Sequence, residues 1–566
     1  MNFDLPGETD LVVVGAGAGG MTAALAGALH GLDVVLCEAT QQVGGTTATS
    51  AGTIWVPCST PARAAGYADS VEAAAQYLDG LVPSGAGRPL RQAYLESAPA
   101  IIDALMQRTQ VQFAATGRHP DYRDQPGSRE AGRPLSTLPF DGRRLGAEFE
   151  RIRPPMKEFT VLGGMMVGKA DIAPLVHPLR SWAHFRHAAA LLLRHASDRA
   201  RFRRGTRLVM GNALVARLYA SLKDAKVPVA FGARLADLLV ENGTVAGVHL
   251  VLEGGGTVTV RARKGVVLAA GGIGHHPDLR KRVMRPGQDG WPSTVFPGNV
   301  GSGVAAGLEA GATLAMTAGG PGVFWQPVSM PRDRDGSRLL FPHLFLDRAK
   351  PGFIAVDTRG RRFTSEGESY HDFCEGMIRR HAEVPAIPAW AICDADFIRK
   401  YGLGLIPPGT TRLARYTRSG YLVCADSIEA LARRIGVDAT GLADTVARNN
   451  DDAATGVDPE FGKGSSALSR FNGDPEHGPN PCLGPIARAP FCAMALWPAD
   501  AAADAGLATD EDARVLGEAG TPVPGLYACG GDMASIMCGS YPGPGTAIGP
   551  AMVFGWRAAA HAARAG

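Results

Sequence analysis

Leu11-Val12-Val13-Val14-Gly15-Ala16-Gly17-Ala18-Gly19-Gly20 decides the fold of this chain. Residues 11–14 form a short, unbroken apolar run, the signature of a strand buried on both faces. The glycine turn leads into an alanine- and leucine-rich stretch, residues 21–29, that reads as a helix and that Gly31 can end. Asp33-Val34-Val35-Leu36-Cys37 reads as a second buried strand, and Glu38 closes it. Strand, glycines, helix, second strand and acid, in that order, make a dinucleotide-binding βαβ unit. Gly15 permits the tight turn, Gly17 lets the backbone approach a pyrophosphate, and Gly20 lets helix and strand pack closely. The free N–H groups at the helix start attract phosphate. Glu38 stands where it can accept hydrogen bonds from ribose hydroxyls, and its charge would repel a 2′-phosphate, so NADP is disfavoured. NAD and FAD both remain open at this point.

The next stretch favours FAD. Val43-Gly44-Gly45-Thr46-Thr47-Ala48-Thr49-Ser50-Ala51-Gly52 is small, polar and glycine-rich. It resembles the segment that passes beside the pyrophosphate and flavin in fumarate reductase-like flavoproteins. Gly44, Gly45, Thr46, Thr47 and Gly52 are its expected cofactor contacts. Relatives with covalent FAD carry a histidine there; this segment has none, so non-covalent FAD is expected. Residues 264–272 read as a buried strand ending in Ala270 and Gly271, with hairpin strands before it at 244–250 and 257–260. Gly525-Leu526-Tyr527-Ala528-Cys529-Gly530-Gly531-Asp532 resembles the family's ribityl-binding strand, which makes Gly531 and Asp532 cofactor candidates. Gly539-Ser540-Tyr541-Pro542-Gly543-Pro544-Gly545-Thr546-Ala547-Ile548-Gly549-Pro550-Ala551 is a rigid loop before a helix expected at 552–563. Thr546 and Ile548 complete the cofactor set.

A chain of 566 residues is too long for one ordinary domain. The expected architecture is α/β: a Rossmann-type FAD-binding domain, glutathione reductase-like, with an inserted α+β catalytic cap. The FAD-binding domain spans 1–318 with a basic helical insertion at about 150–215, the cap spans 319–494, and 495–566 returns to the first domain. Within the cap, residues 427–448 read as one helix with Leu431, Leu442 and Val446 facing the core. Fifty-seven basic residues against 54 acidic ones leave a net charge of +3, too little for a nucleic-acid partner. Nine cysteines, an odd number without a CxxC pair, argue against a disulfide framework or a zinc site. No metal is expected. The first residues lack the pattern of a signal peptide, and no apolar run reaches the ~18 residues of a membrane span, so a cytoplasmic protein is expected.

These motifs, with Asp121-Tyr122, Pro126-Gly127 and residues 351–370, carry a resemblance to the 3-ketosteroid Δ1-dehydrogenase family over nearly the whole chain. The resemblance implies a direct 1,2-desaturation. Tyr541 and the N–H of Gly545 match the donors to the C3 carbonyl oxygen. Tyr370 matches the base that takes the C2 proton, and Tyr122 matches the tyrosine that supports it. Hydride leaves C1 for flavin N5. The chemistry is coherent, because a C–H beside a ketone is a weak acid and polarising the carbonyl stabilises the enolate. A tyrosine is a poor base at neutral pH, and a neighbouring hydroxyl is expected to lower its pKa. His371, next to Tyr370, is expected on the surface.

Thr546 and Ala547 stand where steroid enzymes usually read Gly and Thr, Ser365 replaces an Asn, and residues 501–506 replace a more glycine-rich turn. These departures leave other cyclic ketones, or Δ4 desaturation, as alternatives to a 3-ketosteroid. A fumarate reductase-like enoate reductase would need an arginine acid and cationic clamps, which the Tyr541–Gly545 loop lacks. A flavin-binding protein without catalysis is the remaining alternative. The implied partners are a steroid or other apolar cyclic ketone and an external electron acceptor, a quinone or a redox protein. Residues 180–207 hold eight arginines against Asp198, interleaved with Trp182, Phe185, Leu192 and Leu193. That pattern allows a peripheral, membrane-associated helix.

Overall fold

The computed structural model describes residues 5–565 apart from 318, 319, 321 and 334. The first four residues and the expected boundary at 318/319 lie outside the described residues. An eight-stranded sheet carries the dinucleotide-binding part. Its parallel strands run in the order Val229–Phe231, Val34–Glu38, Glu8–Val14, Thr257–Leu268 and Pro522–Ala528. Leu11, Val12 and Val13 are fully buried between neighbours, as the unbroken apolar run predicts.

Thr257–Leu268 is one strand, where the sequence predicts two. The polar residues between the two apolar stretches do not break it. Arg261 and Arg263 point outward to Glu241, Glu8 and Asp10, while Ala262 between them is buried. The strand pairs antiparallel with Thr244–Leu252 at its start and parallel with Pro522–Ala528 at its end. It therefore joins the N-terminal unit to the last part of the chain.

The helix Ala18–Leu29 begins three residues earlier than expected and buries its first ten residues. It packs on the C-terminal helix Ile548–Arg564, which also starts early. Pro550 fits that first turn because the missing N–H would have had no helical partner there. The two helices meet backbone to backbone. A Cβ on Gly555 would lie 2.5 Å from the Gly19 carbonyl oxygen, and one on Gly19 would lie 3.0 Å from that of Ala551.

A six-stranded sheet builds the second layer, ordered Phe341–Pro342, Val323–Ser329, Phe491–Ala503, Ala389–Asp394 and Ile354–Val356, with Val423–Ala425 also on Phe491–Ala503. Its longest strand, Phe491–Ala503, runs across the expected 494/495 boundary. The expected helix at 427–448 is two helices, Ile428–Ile435 and Ala439–Thr455. Gly436, with φ +71°, ends the first, and Asp438 caps the second by accepting from the Gly441 N–H. Leu431, Leu442 and Val446 are buried in one core, as expected. All nine cysteines are free thiols. Among the described residues, no helix is long and apolar enough to cross a membrane.

The Gly19–Gly555 crossing yields a direct test. Gly555→Ala forces the helices apart and costs about 1–3 kcal/mol by overpacking. Thermal unfolding of the holoprotein should fall by several degrees, and an unchanged melting temperature would show that the helices do not meet there.

Candidate active site

The glycine turn divides into positions closed by protein and one that faces space. A Cβ on Gly15, whose φ is +102°, would lie 2.2 Å from the Ala269 carbonyl oxygen, and one on Gly20 would lie 1.9 Å from that of Gly15. A Cβ on Gly17 meets only Thr47 Oγ1, at 3.9 Å. Gly17 caps the helix Ala18–Leu29 without a side-chain hydrogen bond, and its first turn carries no acidic residue. The positive end of the helix thus faces a cradle of small residues, which suits a pyrophosphate.

Several of the remaining cofactor candidates are tied to this cradle or to one another by hydrogen bonds. Thr47 Oγ1 accepts from the Ala18 N–H at 3.1 Å. Thr46 Oγ1 accepts from the Phe296 N–H and Asn299 Nδ2, both at 3.0 Å. Asn299 Nδ2 also donates to the Gly271 carbonyl oxygen at 2.9 Å. Gly44 and Gly45 hold positive φ at the start of the turn Gly45–Thr49, and a Cβ on Gly52 would strike the backbone of Met210. Asp532 accepts from the N–H groups of Ala270 and Gly272, and a Cβ on Gly531 would lie 2.6 Å from the Gly271 backbone. Burial raises the Asp532 carboxyl to about 6, with those two donors opposing the rise. Asp532 therefore stitches two strand ends together, beyond the ribityl contact that the sequence suggests. Glu38 accepts from the Ala16 N–H at 3.0 Å and from the N–H and hydroxyl of Thr40 at 2.9 and 2.8 Å. Thr546 donates to the Gly543 carbonyl oxygen, and Ile548 opens the C-terminal helix. Asn299, which ties two of these segments, has no motif around it and escaped the sequence reading.

The three tyrosines converge. Ring centroids lie 5.1 Å apart for Tyr370 and Tyr541, 5.8 Å for Tyr122 and Tyr370, and 6.0 Å for Tyr122 and Tyr541. Phe324, Phe345, Leu344 and Leu468 surround them. Tyr122 Oη is buried, no described residue makes a hydrogen bond of ordinary geometry to it, and the Tyr370 hydroxyl is its polar neighbour. Gly545 holds φ +95°, and a Cβ there would lie 2.5 Å from Ile54 Cα, so only glycine fits.

Tyr370 is the first residue of the helix Tyr370–His381, at the end whose dipole favours negative charge. Burial nevertheless pushes its hydroxyl well above the ordinary tyrosine range, and the neighbouring Tyr122 and Tyr541 push it further. At Tyr370 burial overrides the lowering that the sequence suggests, because a phenolate loses its water there. Burial likewise raises Tyr122 well above that range. Tyr541 is raised by burial too, with the hydroxyls of Tyr370 and Thr546 opposing the rise.

The loop around Tyr541 is held from several distant points. The Pro542 carbonyl accepts from Tyr77 Oη at 2.7 Å and from the Tyr122 N–H at 2.9 Å. The Trp55 N–H donates to the Gly545 carbonyl at 3.3 Å. Asp504, which burial raises to about 6, accepts from the Gly539 N–H at 2.8 Å. His371 is buried, not exposed as the sequence suggested. Its Nδ1 accepts from the Trp325 N–H at 3.1 Å, which leaves Nε2–H to donate to the Gly539 carbonyl at 3.2 Å. Asp121 accepts from Trp55 Nε1 and Arg133 and so braces the backbone beside Tyr122.

The family described as FAD binding domain matches residues 10–548. The chain belongs to the FAD-binding family, in its 3-oxosteroid 1-dehydrogenase-like branch. A 4-oxocyclohex-2-ene-1-carboxylate 5-dehydrogenase of Sinomonas cyclohexanicum is 40% identical over 98% of this chain and 94% of its own length. A 3-oxosteroid 1-dehydrogenase of Mycobacterium tuberculosis is 34% identical over 98% of each chain. The crystal structure of 3-ketosteroid Δ1-dehydrogenase from Sterolibacterium denitrificans, in complex with 1,4-androstadiene-3,17-dione, superimposes with a TM-score of 0.91 at 33% identity. It covers 99% of this chain and 100% of its own. This FAD-binding family member is accordingly an FAD-dependent oxidoreductase acting on CH–CH groups, and the open cradle at Gly17 fits its cofactor.

Gly17→Val separates cofactor from fold. The protein alone has room for the side chain near Gly17 and the pyrophosphate does not, so the variant should fold yet purify without flavin absorbance. Its circular dichroism should match that of wild-type protein stripped of flavin. Retention of stoichiometric FAD would contradict the cradle.

Proposed function

We propose that this enzyme desaturates the C1–C2 bond of a 3-ketosteroid. The convergence of three buried tyrosines beside a glycine at φ +95° carries the reading. Tyr541 Oη and the Gly545 N–H donate to the C3 carbonyl oxygen, which draws off the charge that develops when C2 loses its proton. Tyr370 Oη takes that proton. Tyr122 Oη, buried beside Tyr370, donates to the Tyr370 phenolate. When bound, FAD supplies the acceptor for the hydride that leaves C1. The C2–H and C1–H bonds break and a C1=C2 bond forms. Two electrons must then pass to an external acceptor, a quinone or a redox protein. The apolar wall of Phe324, Phe345, Leu344 and Leu468 suits a ring system that offers few polar handles.

A second reading keeps the chemistry and changes the substrate. The similarity to a dehydrogenase of 4-oxocyclohex-2-ene-1-carboxylate points to a smaller ring ketone that bears a carboxylate. His119 stacks on Phe471 at 4.6 Å and lies beside Tyr122 and Phe345, adding a titratable group to an apolar wall. Comparing kcat/KM for 4-androstene-3,17-dione and for the cyclohexenone acid decides between them, the larger value identifying the substrate class.

Under either reading, Tyr370→Phe should lower kcat by ~10²–10⁴-fold, as loss of a general base does. Tyr541→Phe should lower it by ~10²–10³-fold, as loss of one oxyanion donor does. Because burial holds Tyr370 neutral, kcat should climb with pH through the alkaline range, toward and beyond the ordinary tyrosine pKa of ~10. Tyr370→Phe with wild-type turnover, or a plateau reached by pH ~8, would refute the assignment of the base.

A further inference from the structure

The basic segment lies outside the machinery described above, and the fold gives it an unusual surface. Seven of the 13 exposed large apolar side chains among the described residues fall between positions 161 and 193. Leu179 is 87% exposed, Leu193 72%, Trp182 71% and Leu162 64%. The helix Trp182–Arg199 already has an inner face: Ala188, Leu191, His195 and Asp198 recur at helical spacing and are buried. Trp182, Phe185 and Leu193 form a separate apolar stripe that docking onto the fold does not use. Trp182 and Phe185 stack on each other at 5.4 Å, and both are exposed. Exposed apolar side chains scattered singly need no explanation, but a cluster that includes a tryptophan does.

The charges nearby are sorted. Arg143, Arg194 and Arg207 pair with Asp198, Asp141 and Asp171. Arg186, Arg199 and Arg201 are exposed and have no acidic partner among the described residues. Arg186 is four residues from Trp182 and seven from Leu193, hence on the same face. An apolar strip that carries its own unpaired cations matches one environment well. Aromatic and aliphatic side chains enter the acyl boundary while arginines meet lipid phosphates. A second copy of this chain would instead set arginine against arginine across a two-fold interface.

We propose that the outer stripe of the helix Trp182–Arg199, with the exposed Leu179 just before it in the chain, docks on an anionic lipid bilayer. Both an apolar ketone and a quinone partition into such a bilayer, so the surface would set the enzyme beside its reactants.

The test is flotation of the full-length holoenzyme with phosphatidylcholine vesicles, with and without phosphatidylglycerol, at low and high salt. Wild type should float with the anionic vesicles at low salt and release at high salt. Trp182→Ser with Leu193→Ser, and separately Arg186→Glu with Arg199→Glu, should each cut the bound fraction at least tenfold. Turnover of a water-soluble ketone by both variants should stay at the wild-type level, which also certifies that they fold. Failure of the wild type to float at low salt would overturn the proposal. So would equal flotation of the wild type and both variants. Sedimentation velocity showing a dimer that the same substitutions dissociate would assign the face to a second copy instead and overturn it as well.

Discussion

The carbonyl of Pro542 holds the site together. It lies on a loop near the end of the chain, yet the groups that bind it, Tyr77 Oη and the N–H of Tyr122, come from near the beginning. The same short loop is gripped at Gly545 by Trp55 and at Gly539 by Asp504 and His371. A loop carrying two prolines and three glycines has little means of fixing itself through side chains. Pro542, Gly543 and Pro544 are buried, and a buried backbone group left unpaired costs about 1–3 kcal/mol. The surrounding domains must therefore supply the partners, and in doing so they fix where Tyr541 and the Gly545 N–H point. Tyr122 is fixed by the same contact, since its own N–H is one of the donors. The position of one reactive tyrosine is thus tied to that of another.

Burial sets the electrostatic character of the site. Three tyrosines, Asp121 and Asp504 lie within it or against it, and each is pushed toward its neutral form by loss of water. Even Arg133 beside Asp121 does not overcome this, and the carboxyl rises to about 6. The tyrosines and the apolar residues around them would take an uncharged ring ketone at little desolvation cost. Burial also makes any charge that forms during the reaction expensive unless a donor is already aimed at it. In the proposed reaction Tyr541 and Gly545 would meet that need at the ketone, and Tyr122 with the end of the helix Tyr370–His381 would meet it at Tyr370.

What the sequence made legible was local. The GAGAGG turn, the small residues at 44–47 and the Tyr-Pro-Gly-Pro-Gly loop each announce themselves within a dozen residues, because turn geometry and close approach demand particular residue types. Asn299 gave no sign, since its role exists only where Thr46 and Gly271 come together. His371 and Asp504 were hidden for the same reason: their partner is a backbone group far along the chain. The split at Gly436 was visible in principle, as a glycine followed by a capping Asp438, but the apolar spacing on either side continued through it. The tyrosine pKa was misjudged because a pairwise argument left out burial, which only the fold reveals.

Mixing the purified, oxidised holoprotein anaerobically with 4-androstene-3,17-dione or 4-oxocyclohex-2-ene-1-carboxylate, and following flavin absorbance in a stopped flow, tests the account most directly. The account predicts bleaching within one turnover by at least one of the two, with one equivalent of the ring-desaturated ketone formed per flavin. A flavin that stays oxidised with both ketones, in protein shown to bind them, would contradict it.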